Sequence, residues 1–142
     1  MISTAIVYRF GAEAVDLAQL HALLKESYWA KDRPLAQISR AVRNSFCISA
    51  WEGQDGGRLV GFARLLTDYA VHAYLADVIV APAHRGHGIG TTMVRKLVDH
   101  EAMATCRICL HTRDAHGVYR PLGFADSTDM RKPARRVWQE GP

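Results

Sequence analysis

Past the middle of the chain the sequence reads Asp77-Val78-Ile79-Val80-Ala81-Pro82-Ala83-His84-Arg85-Gly86-His87-Gly88-Ile89-Gly90-Thr91. The residues before Pro82 belong to a segment, His72–Val80, that is apolar enough to be a central β-strand. Behind the glycines, apolar residues recur at helical spacing up to about Met103. This stretch therefore predicts a strand that leads into a helix, Gly88–Met103, through a basic and glycine-rich loop.

The predicted loop has the properties of an anion-binding site. In the first turn of a helix the backbone N–H groups lack intrahelical partners, and the helix dipole is positive there. Gly86, Gly88 and Gly90 remove the side chains that would keep a phosphate away from these amides. Three glycines behind Arg85 are more than a tight turn requires, since each costs about 1 kcal/mol in a helix. The pattern therefore predicts a cradle for a pyrophosphate.

Two better known phosphate-binding loops do not fit this sequence. The dinucleotide fingerprint G-x-G-x-x-G would need a third glycine where Thr91 stands, and it would follow the first strand of the fold. The nucleoside-triphosphate loop G-x-x-x-x-G-K-[ST] needs a lysine, and no lysine occupies that position here. Both loops are therefore rejected.

The rest of the chain alternates strands and helices around this unit. Periodicity, glycines and prolines predict the order β-α-α-β-β-β-α-β-α. The predicted strands and helices, with one hairpin turn at Gly53–Gly57, are the strands Thr4–Phe10, Phe46–Glu52, Leu59–Thr67, His72–Val80 and Cys106–Thr112 and the helices Glu13–Ser27, Pro34–Asn44, Gly88–Met103 and Asp114–Arg120. Hairpins in the middle and one β-α-β crossover imply a mixed α/β fold with helices on a mixed sheet.

Length and composition predict one globular domain, residues 1–142. A hydrophobic content of 49% and a charged content of 23% exclude a disordered or fibrous chain. The net charge of +4 is too mild and too scattered to indicate nucleic-acid binding, although it suits an anionic small ligand. No apolar run approaches the roughly 18 residues of a membrane span, and the first residues do not resemble an export signal. We therefore expect a cytoplasmic protein without membrane or nucleic-acid partners.

The cysteines and histidines near the end of the chain invite a zinc interpretation. Cys106 and Cys109 form a C-x-x-C pair, and His111 and His116 follow. The segment is predicted as a strand, however, and residues three apart in a strand point to opposite faces. We therefore expect reduced, structural cysteines and no metal.

The quoted stretch resembles the acetyl-coenzyme A motif of the GNAT N-acetyltransferase superfamily, V-x-P-x-x-[RQ]-G-x-G-[IL]-G, which joins the fourth strand to its helix. Downstream, residues 114–124 are similar to the L-Y-x-x-x-G-F segment of the same superfamily. Their D-A-H-G form, with Tyr28-Trp29-Ala30 upstream, resembles a group of small bacterial members. The resemblance covers most of the chain up to Phe124, and it implies a mostly antiparallel sheet with a parallel strand pair at the cofactor site.

The resemblance also implies acetyl-coenzyme A as the co-substrate. The backbone of the fourth strand would pair with the pantetheine arm, and the loop would hold the pyrophosphate, while Tyr119 would lie near the thioester sulfur. The implied cofactor-binding residues are Val78, Ile79, Val80, Arg85, Gly86, His87, Gly88, Ile89, Gly90 and Thr91.

Attack of an amine on a thioester requires a neutral amine, a stabilised oxyanion and a proton for the departing thiolate. The hydroxyl of Tyr119 has a suitable acidity to donate that proton, unless the residue is a core aromatic. Many relatives use a glutamate as base, and Tyr74 and His111 stand at the corresponding positions. Asp77 is the only carboxylate inside the fourth strand, so it is the first candidate for the base, with His111 or a water behind it. An ion pair with an arginine is an equal alternative for Asp77.

The acceptor would bind among aromatic and cationic residues in loops at the strand ends, because aromatic faces hold cations or rings. Ordinary packing is the alternative for at least half of them. The candidates are Tyr28, Trp29, Arg33, Tyr69 and Tyr74.

Together these observations predict an acyltransferase that moves an acetyl group to a primary amine of a small-molecule acceptor in a ternary complex. One rival is a modifier of protein lysines or N-termini, and another is a non-catalytic acyl-coenzyme A sensor. A sensor would not need a proton donor at Tyr119. The sequence leaves open whether the protein forms a homodimer.

Overall fold

The structure, a computed structural model, describes residues 5–53 and 57–139. The chain falls into two compact units, one up to His111 and the other from Thr112 onward. The single domain expected from the length therefore stays a prediction.

The first unit is built on a mixed sheet. Its described residues form five strands in the spatial order of the sequence, with each of the first three pairs antiparallel and the last pair parallel. The strands are β1 (Ile6–Phe10), β2 (Phe46–Glu52), β3 (Arg58–Thr67), β4 (His72–Val80) and β5 (Arg107–Cys109). This arrangement confirms the predicted mixed α/β class and the parallel pair.

The two faces of this sheet are covered by different helices. These helices are α1 (Leu17–Leu24), α2 (Leu35–Arg43) and α3 (Ile89–Val98). Phe62 of β3 packs with Leu20 and Ile38, whereas the preceding Gly61 lies against Met93 of α3. Successive residues of a strand face opposite sides, so α1 and α2 cover one face and α3 covers the other. Leu20, Phe62 and Met93 are fully buried.

The helices are shorter than their apolar periodicity predicts. The helix predicted for Glu13–Ser27 begins at Leu17, because the Asp16 carboxylate accepts a hydrogen bond from the Gln19 N–H and caps the first turn. The helix predicted for Gly88–Met103 ends at Val98, and a 3₁₀ turn follows at Glu101–Met103. The α-helical pattern ends where the His100 N–H bonds to the Leu97 carbonyl oxygen, three residues back, and the His100 ring nitrogen Nδ1 then accepts from the Ala102 N–H in the 3₁₀ turn.

Strand ends also differ from the prediction. The central strands keep their predicted ranges to within one residue, but the strand predicted for Cys106–Thr112 is limited to Arg107–Cys109. Thr4 of the first predicted strand and 54–56 of the predicted hairpin turn lie outside the described residues.

The second unit contains α4 (His116–Tyr119) and a 3₁₀ turn at Arg120–Leu122. Gly123 follows in the left-handed conformation, as the predicted helix stop requires. The Tyr119 ring packs edge-on against Phe124, with 5.9 Å between ring centroids. Within 5–53 and 57–139, no helix reaches the length and apolar character that crossing a bilayer demands.

Candidate functional site

The parallel strands β4 and β5 pair over a short distance and then separate. Their ladder joins His72 to Arg107, Ala73 to Ile108 and Tyr74 to Cys109. β5 ends at Cys109, while β4 continues to Val80. We call this divergence the strand fork. Beyond the Tyr74–Cys109 pair, the edge of β4 that faced β5 has no further partner in the parallel ladder of the described residues.

The glycine-rich loop follows β4 after a 3₁₀ turn at Pro82–His84, and its Gly88 is the N-cap of α3. Gly86 and Gly88 have φ angles of 82° and 81°, in the left-handed region that glycine adopts without strain. No described atom lies within 4 Å of a Cβ placed on either residue. No side chain in the described residues caps α3, so its first N–H groups have no side-chain acceptor there. This geometry fits an anion held by backbone amides.

Two contacts fix this loop to the sheet. The Arg85 guanidinium donates from Nε to the Val80 carbonyl oxygen at 3.0 Å. The His84 ring pairs through Nε2 with the Glu52 carboxylate of β2, and this hydrogen bond lowers the pKa of Glu52. The loop is thus tied to both β2 and the end of β4.

A β-bulge distorts β4 at Asp77. On β3 the register advances from Phe62 to Arg64, while on β4 it moves from Ile79 to Ala76, so β4 carries one extra residue there. Asp77 has a φ of 55°, which is rare for a residue with a side chain and is tolerated best by aspartate and asparagine. Bulges of this kind re-aim a side chain and are frequent near active sites.

Three donors surround the Asp77 carboxylate. Oδ1 accepts from the Trp29 Nε1–H at 3.1 Å, and Oδ2 accepts from Arg33 Nη1 at 2.8 Å and from Arg64 Nε at 2.7 Å. The side chain of Asp77 is only 5% exposed. Burial alone would raise its pKa, but the two guanidinium groups outweigh burial and the pKa is lowered. This matches the ion-pair interpretation of Asp77, and a base with both oxygens engaged is poorly placed to take up a proton.

The predicted acceptor residues divide into two groups. Trp29 and Arg33 meet at Asp77, and the Tyr28 ring lies edge-on to Trp29 with 5.2 Å between centroids. We call residues 28–33 the aromatic segment. Tyr69 instead lies in the turn before β4, where its ring is edge-on to that of Phe46 with 6.2 Å between the ring centroids.

Tyr74 is half-buried on β4 and shares the last position of the parallel ladder. His111 is exposed two residues after β5. In the second unit, burial raises the pKa of Tyr119, so its hydroxyl keeps its proton at neutral pH.

Sequence reasoning missed Arg64 and Ser45. Arg64 lies in the middle of β3, donates to Asp77 and also donates from Nη1 to the Ser45 hydroxyl at 3.0 Å. A single arginine within the apolar run Leu59-Val60-Gly61-Phe62-Ala63-Arg64-Leu65-Leu66 was the signal, because a charge in a buried strand needs a partner.

The expected structural cysteines stay a prediction. Cys47 is buried, and burial raises the pKa of its thiol to about 12. Cys106 and Cys109 are half-buried. Across the described ranges no three His, Cys, Asp or Glu side chains gather as a metal site would need.

The sequence pattern that defines the acetyltransferase (GNAT) family matches residues 14–124. The chain belongs to the GNAT family. The fold agrees, because the chain is similar to the crystal structure of a putative GNAT-family acetyltransferase from Xanthomonas campestris. The two are 34% identical with a TM-score of 0.82, over 92% of this chain and 94% of the other.

Two further relatives of this GNAT protein are similar in sequence. A soybean (Glycine max) protein named histone acetyltransferase TAP1 is 32% identical over 102 aligned positions, covering 66% of this chain and 43% of the soybean protein. An N-acetyltransferase of Porphyra purpurea named ycf52, uncharacterised by name, is 31% identical over 127 positions, covering 87% and 72%. The chain thus spans less than half the length of the soybean relative.

Proposed function

We propose that the protein transfers the acetyl group of acetyl-coenzyme A to a primary amine of a small-molecule acceptor, by direct attack in a ternary complex. The observation that carries the proposal is the loop before α3 in a chain of the GNAT family. Its left-handed glycines leave the backbone amides open to an anionic group.

The residues fit the co-substrate in two places. The loop Arg85–Thr91 would hold the pyrophosphate through backbone N–H groups, with Arg85 supplying a nearby cation. The backbone of Val78, Ile79 and Val80 would pair with the amide-containing pantetheine arm along the strand fork. When bound, acetyl-coenzyme A supplies a thioester, which is an acyl group activated toward amines.

The reaction needs two proton transfers that the protein would support, one to the departing thiolate and one from the attacking amine. Tyr119 would donate a proton to the departing thiolate, and burial raises the pKa of Tyr119, so its hydroxyl stays protonated at neutral pH. The amine must lose a proton, and the engaged carboxylate of Asp77 favours His111 or a water as its acceptor. Asp77 then serves to position the aromatic segment, through its bonds to Trp29 and Arg33.

Acetyl-coenzyme A binding is tested by thermal unfolding with and without the ligand. At about 100 times its dissociation constant a ligand adds roughly 2.7 kcal/mol to the free energy of unfolding. Gly88→Ala should abolish most of this stabilisation and raise the KM for acetyl-coenzyme A, because its Cβ would stand where the phosphate approaches the amides.

Gly53→Ala is the matched control for backbone strain. Gly53 has a φ of 94°, and a Cβ placed there meets the Gly57 Cα at 3.8 Å, an ordinary van der Waals contact. Both variants therefore carry a similar backbone strain of about 1–2 kcal/mol. Only the Gly88 variant should change the KM for acetyl-coenzyme A. A melting temperature that saturating acetyl-coenzyme A leaves unchanged in the wild type would refute the cofactor assignment.

A protein acceptor is the second candidate. The soybean relative, which is named a histone acetyltransferase, favours this acceptor class. Release of free thiol from acetyl-coenzyme A, measured with histone-tail peptides and with small amines in parallel, separates the two acceptor classes. Thiol release with neither, despite ligand-induced stabilisation, would indicate an acyl-coenzyme A sensor. The cytoplasmic location, the absence of nucleic-acid partners and the oligomeric state stay predictions.

A further inference from the structure

The charges around Asp77 do not balance. Arg33 and Arg64 both donate to its Oδ2 atom, so two guanidinium groups face a single carboxylate. Arg64, Asp77 and the exposed Glu13 act electrostatically on the thiol of Cys47, but burial raises the pKa of that thiol and keeps it neutral. Glu13 makes no hydrogen bond or ion pair with Arg33 or Arg64 among the described residues. The cluster therefore retains one positive charge in a largely buried place.

The unbalanced charge lies on Arg33. The side chain of Arg64 is 11% exposed and is bonded to both Asp77 and Ser45, whereas the side chain of Arg33 is 28% exposed. Within the described residues, Nη1 is the one nitrogen of the Arg33 guanidinium that donates a hydrogen bond. Its Nε and Nη2 groups keep their donors for a ligand. The neighbouring Lys31 and Asp32 are both exposed, and their charges offset each other.

The surroundings hold Arg33 ready for an anion. Asp77 fixes the guanidinium through Nη1, and it fixes Trp29 on the same segment through the indole N–H. The Trp29 side chain remains partly exposed beside this cation, and so does Tyr28. A guanidinium with a fixed orientation binds carboxylate and phosphate through paired hydrogen bonds, with less entropy lost than a flexible cation.

We propose that the acceptor is an amine that also carries a carboxylate or phosphate group, and that Arg33 binds this anion. The inference rests on the proposed acetyl transfer, and it adds a substrate class and a specificity-determining residue. Asp77 contributes by positioning Arg33, and the aromatic segment forms the wall beside the anion.

Paired acceptors that do and do not carry the anion test the proposal, and the change of each pair's ratio between wild type and variants cancels the difference in amine basicity within the pair. Amino acids are compared with their primary amides for the carboxylate, and aminoalkyl phosphates with the matching aminoalcohols for the phosphate. For each pair, kcat/KM is measured by thiol release in the wild type and in Arg33→Gln, Arg33→Lys and Arg43→Gln. Arg43 is exposed at the end of α2 and is the control for loss of a surface charge.

The anionic member of at least one pair should be the better substrate. Arg33→Gln should lower its kcat/KM by about 10- to 100-fold and change that of the neutral member by less than about twofold, as expected for one lost bond to a charged group. Arg33→Lys should recover part of the loss, because it restores the charge without the paired geometry. Arg43→Gln should change neither member.

Equal kcat/KM for both members of every pair, or an equal loss for both in Arg33→Gln, would overturn the inference while leaving acetyl transfer intact. Absence of thiol release with all acceptors, together with an unfolding temperature that acetyl-coenzyme A does not raise, would overturn the proposed function and this inference with it. The two failures are therefore distinguishable.

Discussion

Replacing Asp77 by asparagine should destabilise the protein by about 3 kcal/mol at neutral pH. Removing one partner of a buried ion pair costs about 3–5 kcal/mol, since the remaining charge is left without compensation. The lower end applies here because Arg33 is partly exposed and because asparagine still offers an oxygen to Trp29. Asparagine also tolerates the left-handed backbone at this position, so little strain is added.

The assay is urea unfolding of the wild type and of Asp77→Asn at a series of pH values, together with thermal unfolding at neutral pH. For a chain of this length the melting temperature should fall by about 6 to 12 °C at neutral pH. The pKa of Asp77 is lowered in the fold, so its stabilisation is fully present above the unfolded pKa of about 3.9. The stability gap between the two proteins should therefore persist down to about pH 4 and shrink only as the pH falls further.

Asp99→Asn, at an exposed carboxylate after α3, is the control and should change stability by less than about 0.5 kcal/mol. A gap for Asp77→Asn below about 1 kcal/mol at neutral pH would refute the buried ion pairs. A gap that closes near neutral pH would show instead that Asp77 titrates where a general base must, which would restore its catalytic role.

Three further outcomes are expected. Tyr119→Phe should keep the melting temperature and the affinity for acetyl-coenzyme A while lowering the single-turnover rate by about 10² to 10⁴, and an unchanged rate across the pH profile would argue against the acid role. Arg85→Ala should raise the KM for acetyl-coenzyme A more than that of the acceptor, because it removes a cation beside the pyrophosphate loop; equal effects would contradict the cradle. Iodoacetamide at about pH 8 should modify Cys106 and Cys109 before Cys47 in the folded protein, because burial keeps the Cys47 thiol protonated. Mass spectrometry measures the order, and earlier modification of Cys47 would contradict this expectation.

The parts of this fold that local pattern determines were predictable. Alternating and continuous apolar runs located β2, β3 and β4 to within a residue, and glycine with proline located the loop before α3. The ends of the helices were harder to predict from the sequence, because a single capping residue determines where a helix begins or ends. Asp16 looks like an ordinary solvent-exposed residue of a longer helix until its bond to the Gln19 N–H is known.

The cluster at Asp77 could be predicted only in part. The sequence singles out Trp29, Arg33 and Asp77 as separate candidates, but Arg33 and Asp77 stand 44 residues apart in the chain. Periodicity contains no information on which distant residues meet. The bulge also escapes prediction, because the extra residue of β4 is defined only by its register with β3.

The strand fork has an evolutionary consequence under the proposed function. An arm that pairs with the backbone of β4 beyond Tyr74 is recognised through N–H and C=O groups, which every residue except proline supplies. The side chains of Val78 and Val80 are then constrained by packing alone, and conservative exchanges such as valine to isoleucine preserve the contact. Main-chain recognition thus allows side chains to change during evolution while the binding mode is kept.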